Sequence, residues 1–171
     1  EGDVALYLGC SQVASSQILQ RNRHNLVVHE SALPSGKGWS PLTWQILEGK
    51  NCIPITLFEA VERIDSGQIY LQETMEFTGY ELIDELRAKQ ASASFRMCQI
   101  FLQRYPDILG EAKLQTGQET FYPRRRPEDS KLDIDKSIRE QFNLLRVVDN
   151  ERYPAYFEID GHRYTIAIYK K

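Results

Sequence analysis

The sequence predicts an α/β domain followed by a helix and a C-terminal β-hairpin. Three observations lead there. Short apolar runs at residues 4–8, 26–28 and 53–59 alternate with segments of helical spacing, as in strands and helices layered on one sheet. A long amphipathic pattern then covers residues 80–105, and Pro106 ends it. Finally, Asp160-Gly161 separates two runs of alternating apolar and polar residues, a strong signal for a two-residue hairpin loop.

The elements follow in order. Val4-Ala5-Leu6-Tyr7-Leu8 lacks strict alternation, so it reads as a strand covered on both faces, as in a parallel sheet, and Gly9 ends it. Residues 13–20 read as a short helix. Leu26-Val27-Val28 marks a second buried strand within residues 25–30. Pro34, Ser35, Gly36 and Gly38 make residues 31–38 a loop. Ser40-Pro41 is expected to be an N-cap with proline at the first helical position, opening a helix over 41–48 that stops at Gly49. Strands are expected at 53–59 and 68–77, with a polar turn through Glu62-Arg63 between them. In the long helix, Leu82, Ile83, Leu86, Met97, Ile100 and Phe101 recur at helical spacing and read as core. Gly110, Gly117, Pro123, three arginines and Pro127 mark a connector, followed by an amphipathic helix over 135–148 and the hairpin strands 153–159 and 162–169. The chain thus divides into a core at 1–108, a connector at 109–131 and a helix-hairpin unit at 132–171.

Composition narrows the functional classes. With 171 residues and 19.8 kDa the chain suits one domain able to bury its own core. Its net charge of -3 argues against a globally basic nucleic-acid binder. No apolar run is long enough for a membrane span. Cys10, Cys52 and Cys98 have no C-x-x-C spacing, so neither a disulfide framework nor a metal site is expected, and reduced thiols in a cytoplasmic compartment fit best. Glu1-Gly2-Asp3 shows no signal-peptide pattern and no initiator Met, which suggests a fragment or a processed product.

Two residues could carry chemistry. His29 ends a buried strand just before a Gly/Pro loop, where open α/β sheets bind ligands. Asp65 sits in Arg63-Ile64-Asp65-Ser66-Gly67, which taken alone is a turn. In order and in context, the two motifs are more specific. Val28-His29-Glu30-Ser31-Ala32-Leu33-Pro34-Ser35-Gly36-Lys37-Gly38 resembles the His-x-Ser-Leu-Leu-Pro-x-x-x-Gly loop of the formyltransferases that use 10-formyltetrahydrofolate. Ile64-Asp65-Ser66-Gly67-Gln68-Ile69 resembles that family's second signature, Asp-(Thr/Ser/Ala)-Gly-(Asp/Pro/Gln)-Ile. The resemblance covers residues 6–77.

The resemblance implies a Rossmann-like sheet and formyl transfer to an amine, with 10-formyltetrahydrofolate as donor and no metal. Within the superfamily, Arg124-Arg125-Arg126-Pro127-Glu128-Asp129-Ser130-Lys131-Leu132-Asp133 is similar to the Arg-Arg-x-x-x-Asp-Ser-x-Ile-Asp segment of the sugar and tRNA branches. Lys37-Gly38-Trp39-Ser40-Pro41 and Trp44-Gln45-Ile46-Leu47-Glu48-Gly49-Lys50 look closest to enzymes that formylate a 4-amino sugar on UDP, of the pseudaminic-acid type. The expected acceptor is therefore a nucleotide-linked amino sugar. The alternatives are methionyl-tRNA formyltransferase and a non-catalytic or truncated binding module. Neither a nucleic acid nor a membrane is the expected partner, and a homodimer is compatible with the reading.

The family's Asn-His-Asp site carries over to His29 and Asp65. Its Asn falls at Val27, which offers no donor to an oxyanion, and Asn25 lies ~13 Å of strand away from His29. A subfamily without the Asn and a weakly active protein are both compatible with that departure. His29 is also early for the family, so the first strands of the sheet are expected to be missing and the remaining edge to need cover. The resemblance implies His29 as general base, or as oxyanion donor when protonated, since an imidazole's ordinary pKa of about 6.5 suits both. Asp65 would orient it or a proton-carrying water. Folate-binding backbone is expected at Gln12, Val13 and Ala14 and at Val61, Glu62, Arg63 and Ile64, with Trp39 nearby. For Gln12-Val13-Ala14 a plain helix start is the competing reading. Arg124, Arg125 and Arg126 would meet a diphosphate, and Tyr153 and Tyr156 a base or sugar, though a basic turn and local hairpin packing explain the same residues. His24 and His162 read as surface residues.

Overall fold

The computed structural model describes residues 1–10 and 12–171. Its main sheet has four strands: β1 (Gly2–Tyr7), β2 (Asn22–His29), β4 (Cys52–Glu59) and β5 (Ile69–Glu76), in that spatial order. The two-residue β3 (Lys37–Gly38) lies apart from them, paired in parallel with β6 (Phe121–Tyr122) of the connector. Within the main sheet, among the described residues, only β1 and β2 run parallel, with Tyr7 opposite Val27. β2 and β4 are antiparallel, with His29 opposite Thr56, and so are β4 and β5, with Cys52 opposite Glu76.

The sheet is mixed, and the expectation that residues 4–8 form a strand covered on both faces is corrected. β1 is an edge strand, and Leu6 is 39% exposed. The strand covered on both faces is β4, where Ile53, Ile55 and Leu57 lie on one face, Thr56 and Phe58 lie on the other, and all five are buried. Helix α3 (Ile83–Arg104) packs across β4 and β5 and adds Leu86, Met97 and Phe101 to the core. Each such fully buried side chain contributes roughly 1.5–3 kcal/mol relative to exposure. Helix α2 (Pro41–Leu47) contributes Leu42 and Ile46.

Several element boundaries moved for physical reasons. The helix expected over 13–20 is a single turn, α1 (Ser16–Leu19), so residues 12–14 precede it as irregular chain. Pro41 does open α2, but Ser40 makes no side-chain cap and sits in the left-handed region at φ 49°. The helix expected over 135–148 shrinks to α4 (Phe142–Val147). Upstream of it, side chains take the backbone groups a helix would use. Glu140 accepts from the Ser137 amide and hydroxyl at 2.8 and 2.7 Å, and Gln141 donates to the carbonyls of Asp133 and Lys136 at 3.0 and 3.1 Å.

The hairpin follows the sequence closely. β7 (Ala155–Ile159) and β8 (His162–Ile166) pair with Ile159 opposite His162, and Asp160 and Gly161 both have positive φ, as a type I′ loop requires. Leu132, Leu145, Val148 and Ala155 form a second, smaller apolar cluster beneath it. His24, expected at the surface, is partly buried instead: its Nδ1 lies 3.2 Å from Glu59 Oε2 and its ring meets Tyr105 edge-on. His162 is exposed.

Candidate active site

A cavity of about 640 Å³ opens at the end of β2, within the usual size range of small-ligand sites. The structure brings His29 and Asp65 together in its wall, with Nε2 and Oδ2 3.9 Å apart. Both side chains are largely buried, 8% and 13% exposed. At 3.9 Å the pair is coulombic and not a hydrogen bond. The His29 ring is fixed from elsewhere: Nε2 lies 2.8 Å from the Gly36 carbonyl oxygen. A carbonyl only accepts, so Nε2 carries a hydrogen, and in the neutral ring the lone pair lies on Nδ1.

Local backbone chemistry explains why Asp65 stands where it does. Asp65 occupies the left-handed region at φ 48°, which aspartate tolerates better than most residues. Its Oδ2 accepts from the Gly38 amide at 2.9 Å, linking the two motif loops directly. Gly67 lies so close to β4 that a Cβ there would sit 1.7 Å from the Glu59 carbonyl oxygen. Gly38 is similarly constrained, with φ 98° and the Tyr122 carbonyl oxygen 2.5 Å from a Cβ. Both motif glycines therefore answer a close approach of backbone to backbone.

The connector braces this loop. Gln115 donates to the carbonyls of Asp65 and Gly67, each at 2.9 Å. Lys37 is 1% exposed and bridges Ser66 Oγ and Glu119, both at 2.8 Å, while Arg63 reaches the other oxygen of Glu119 at 2.7 Å. Nothing in the local sequence marks Lys37, because its carboxylate partner is 82 residues away.

The remaining expected residues are placed as follows. Gln12, Val13, Ala14, Trp39, Val61 and Ile64 line the cavity near Asp65's loop. Residues 12–14 lie outside helix α1. Glu62 and Arg63 do not line the cavity; their side chains pair with Ser16 and Glu119. Arg124, Arg125 and Tyr153 line it as well, and Arg126 does not. Arg124 lies over the Trp39 ring at 5.1 Å, so the two touch each other. Arg125 is held by the Val147 carbonyl at 2.8 Å and Ser130 Oγ at 3.1 Å, and burial pushes its guanidinium pKa down. Asn25 is committed elsewhere: it accepts from the Tyr7 hydroxyl at 3.1 Å and donates to the Leu19 carbonyl at 2.9 Å. Tyr156 is buried beneath the Arg163 guanidinium at 4.1 Å.

Among the wall residues that sequence reasoning missed are Glu30, Arg87, Gln90 and Arg152. Arg87 and Gln90 are one turn apart on α3, and Arg87 pairs with Asp149 at 2.9 Å. Burial pushes the Glu30 carboxyl above its ordinary range, against the opposing pull of His29 and the Gln90 hydrogen bond. Glu30 lies inside the quoted loop motif, which was its only available signal.

A family model for formyl transferases matches residues 1–98. The chain belongs to the formyl transferase family. A methionyl-tRNA formyltransferase of Streptococcus pneumoniae is 28% identical over 158 residues, covering 91% of this chain and 50% of the relative. The chain spans about half the length of the curated relatives it matches. A 4-N formyltransferase from Francisella tularensis superposes with a TM-score of 0.73 at 21% identity, covering 97% of this chain and 70% of that one. HypX from Aquifex aeolicus, in complex with tetrahydrofolic acid, superposes with a TM-score of 0.68 at 14% identity, covering 94% and 28%. At those identities the two structures establish the formyl transferase fold.

Proposed function

We propose that the protein transfers a formyl group from 10-formyltetrahydrofolate to the amine of a nucleotide-linked amino sugar. The observation that carries the reading is the His29–Asp65 pair, 3.9 Å apart in the wall of a ligand-sized cavity. The donor would lie along residues 12–14 and 61–65, a reading supported by residues 12–14, Val61, Ile64 and Asp65 lining the cavity. The acceptor's phosphates would meet Arg124 and Arg152, which line the same cavity.

The acceptor's neutral amine attacks the formyl carbon, and the carbonyl electron pair moves onto oxygen. His29 takes the proton released by the new cationic nitrogen at Nδ1, because Gly36 keeps a hydrogen on Nε2. The Asp65 carboxylate stands 3.9 Å from Nε2 of that ring. When the bond from the formyl carbon to the folate nitrogen breaks, the electron pair stays on that nitrogen, which takes the proton back. One proton has then moved from acceptor to donor, and the enzyme is unchanged.

The test is product formation from 10-formyltetrahydrofolate and a UDP-linked 4-amino-4,6-dideoxyhexose. We expect His29→Ala to lower turnover by on the order of 10²–10⁴, with the melting temperature retained. Turnover unchanged in that variant overturns the assigned chemistry. A second reading, methionyl-tRNA as acceptor, is favoured by the names of the curated relatives. It predicts formylated methionyl-tRNA, with binding that weakens steeply with salt.

A further inference from the structure

The cavity wall holds a carboxylate that the chemistry above does not use. Glu30 follows His29 directly, and in an unbroken strand two neighbours face opposite sides. Here the strand ends in a tight turn: the Ser31 amide donates to the His29 carbonyl at 2.9 Å, a three-residue γ-turn centred on Glu30. Both residues thereby line the same cavity. Two glutamines hold Glu30 in place. Gln45 donates to its carbonyl and Gln90 to its Oε1, each at 2.6 Å.

Glu30 is 9% exposed, yet among the described residues no lysine or arginine pairs with it. Arg87, on the same helix as Gln90 and in the same wall, is committed to Asp149. The titratable groups acting on Glu30 are His29 beside it and Asp65 across the turn, and Asp65 opposes its ionisation. Among the described residues Oε1 is hydrogen-bonded and Oε2 is not, and Oε2 is left open to the cavity that Glu30 lines. A buried carboxylate without a cationic partner is costly, and a ligand that supplies N–H donors or positive charge relieves the cost.

We propose that Glu30 forms the subsite for the acceptor's amine, accepting its N–H hydrogens and selecting amines over hydroxyls at the position next to His29. This rests on the formyl-transfer reading above. It adds the residue that recognises the reacting nitrogen and places that nitrogen one residue from the imidazole. A carboxylate accepts two N–H bonds from an amine, or pairs with an ammonium, but takes only one bond from a hydroxyl.

The experiment is calorimetric binding of a UDP-linked 4-amino-4,6-dideoxyhexose and of its 4-hydroxy counterpart. The wild type is expected to favour the amine by at least about ten-fold. Glu30→Gln keeps the volume and the Gln90 contact, and should bring the ratio close to one while 5-formyltetrahydrofolate binding is retained. Gln90→Leu frees the carboxylate from its tether and should shrink the same ratio, which supplies the readout if Glu30→Gln does not fold. A wild type that formylates the amino sugar, with its preference intact in the variants, overturns the Glu30 assignment alone. A wild type that binds neither sugar overturns the acceptor reading and the Glu30 subsite with it.

Discussion

At the residue scale, the motif around Asp65 is a packing solution as much as a chemical one. Asp65 accepts a left-handed backbone and caps the Gly38 amide, and Gly67 lets β4 pass at a distance no side chain allows. Gly67→Ala should therefore cost at least about 2 kcal/mol, because the obstacle is the Glu59 backbone and not a flexible side chain. Urea denaturation measures this, and a cost below about 0.5 kcal/mol would mean that the Asp65 loop has room to move. His29 and Asp65 were legible in the sequence because each sits inside an ordered string of turn-forming neighbours. Glu30 and Lys37 were not, since their partners Gln90 and Glu119 lie 60 and 82 residues away. Long-range polar pairing leaves no periodic trace, whereas a turn motif is local by construction.

At the element scale, β4, α2, α3 and the hairpin were legible, because an apolar run, a helical period and Asp-Gly are each a local consequence of burial or turn geometry. Residues 135–148 were misjudged because Ser137, Glu140 and Gln141 bond to backbone that a helix would need. The helix that does form there, α4, is anchored by a fully buried arginine. Arg146 donates to Asn51 and Asn143 at 3.0 Å each and to the Glu81 carboxylate at 3.3 Å. Burial pushes Glu81 up, but the amides of Thr78 and Gly79 and the Thr78 hydroxyl outweigh it and hold the carboxyl at about 2, below the ordinary 4.5. A folded-state pKa below the unfolded one stabilises in full above pH 4.5 and loses that contribution as pH falls towards 2. The stability difference between wild type and Glu81→Gln should be on the order of 2 kcal/mol at pH 6 and should vanish across that window. Chemical denaturation at stepped pH checks it, and a difference independent of pH would remove Glu81 from the acid response.

At the scale of the whole molecule, the two apolar clusters are unequal. The larger joins β2, β4, β5, α2 and α3, whereas the smaller rests on Leu132, Leu145, Val148 and Ala155. The cavity is walled by chain from the sheet and from the C-terminal unit, since Val147, Asp149 and Tyr153 share its wall with His29 and Asp65. β7 is tied down through buried Ala155 and Tyr156 and through the Leu132 amide, which donates to the Tyr156 carbonyl at 2.6 Å. β8 has no buried residue and, among the described residues, pairs only with β7. A two-stranded sheet is marginal without packing on one face, and opening free energy follows local burial. Hydrogen exchange should therefore be graded: slowest in β4, intermediate in β7, and at least about 100-fold faster in β8 than in β4. Saturation with 5-formyltetrahydrofolate should slow exchange around Asp65 and leave β8 unchanged, because Asp65 lines the cavity and no residue of β8 does. Equal protection of β8 and β4 would instead mean that the hairpin and the sheet open as one cooperative unit, with the arginines of the connector and α4 transmitting stability from one cluster to the other.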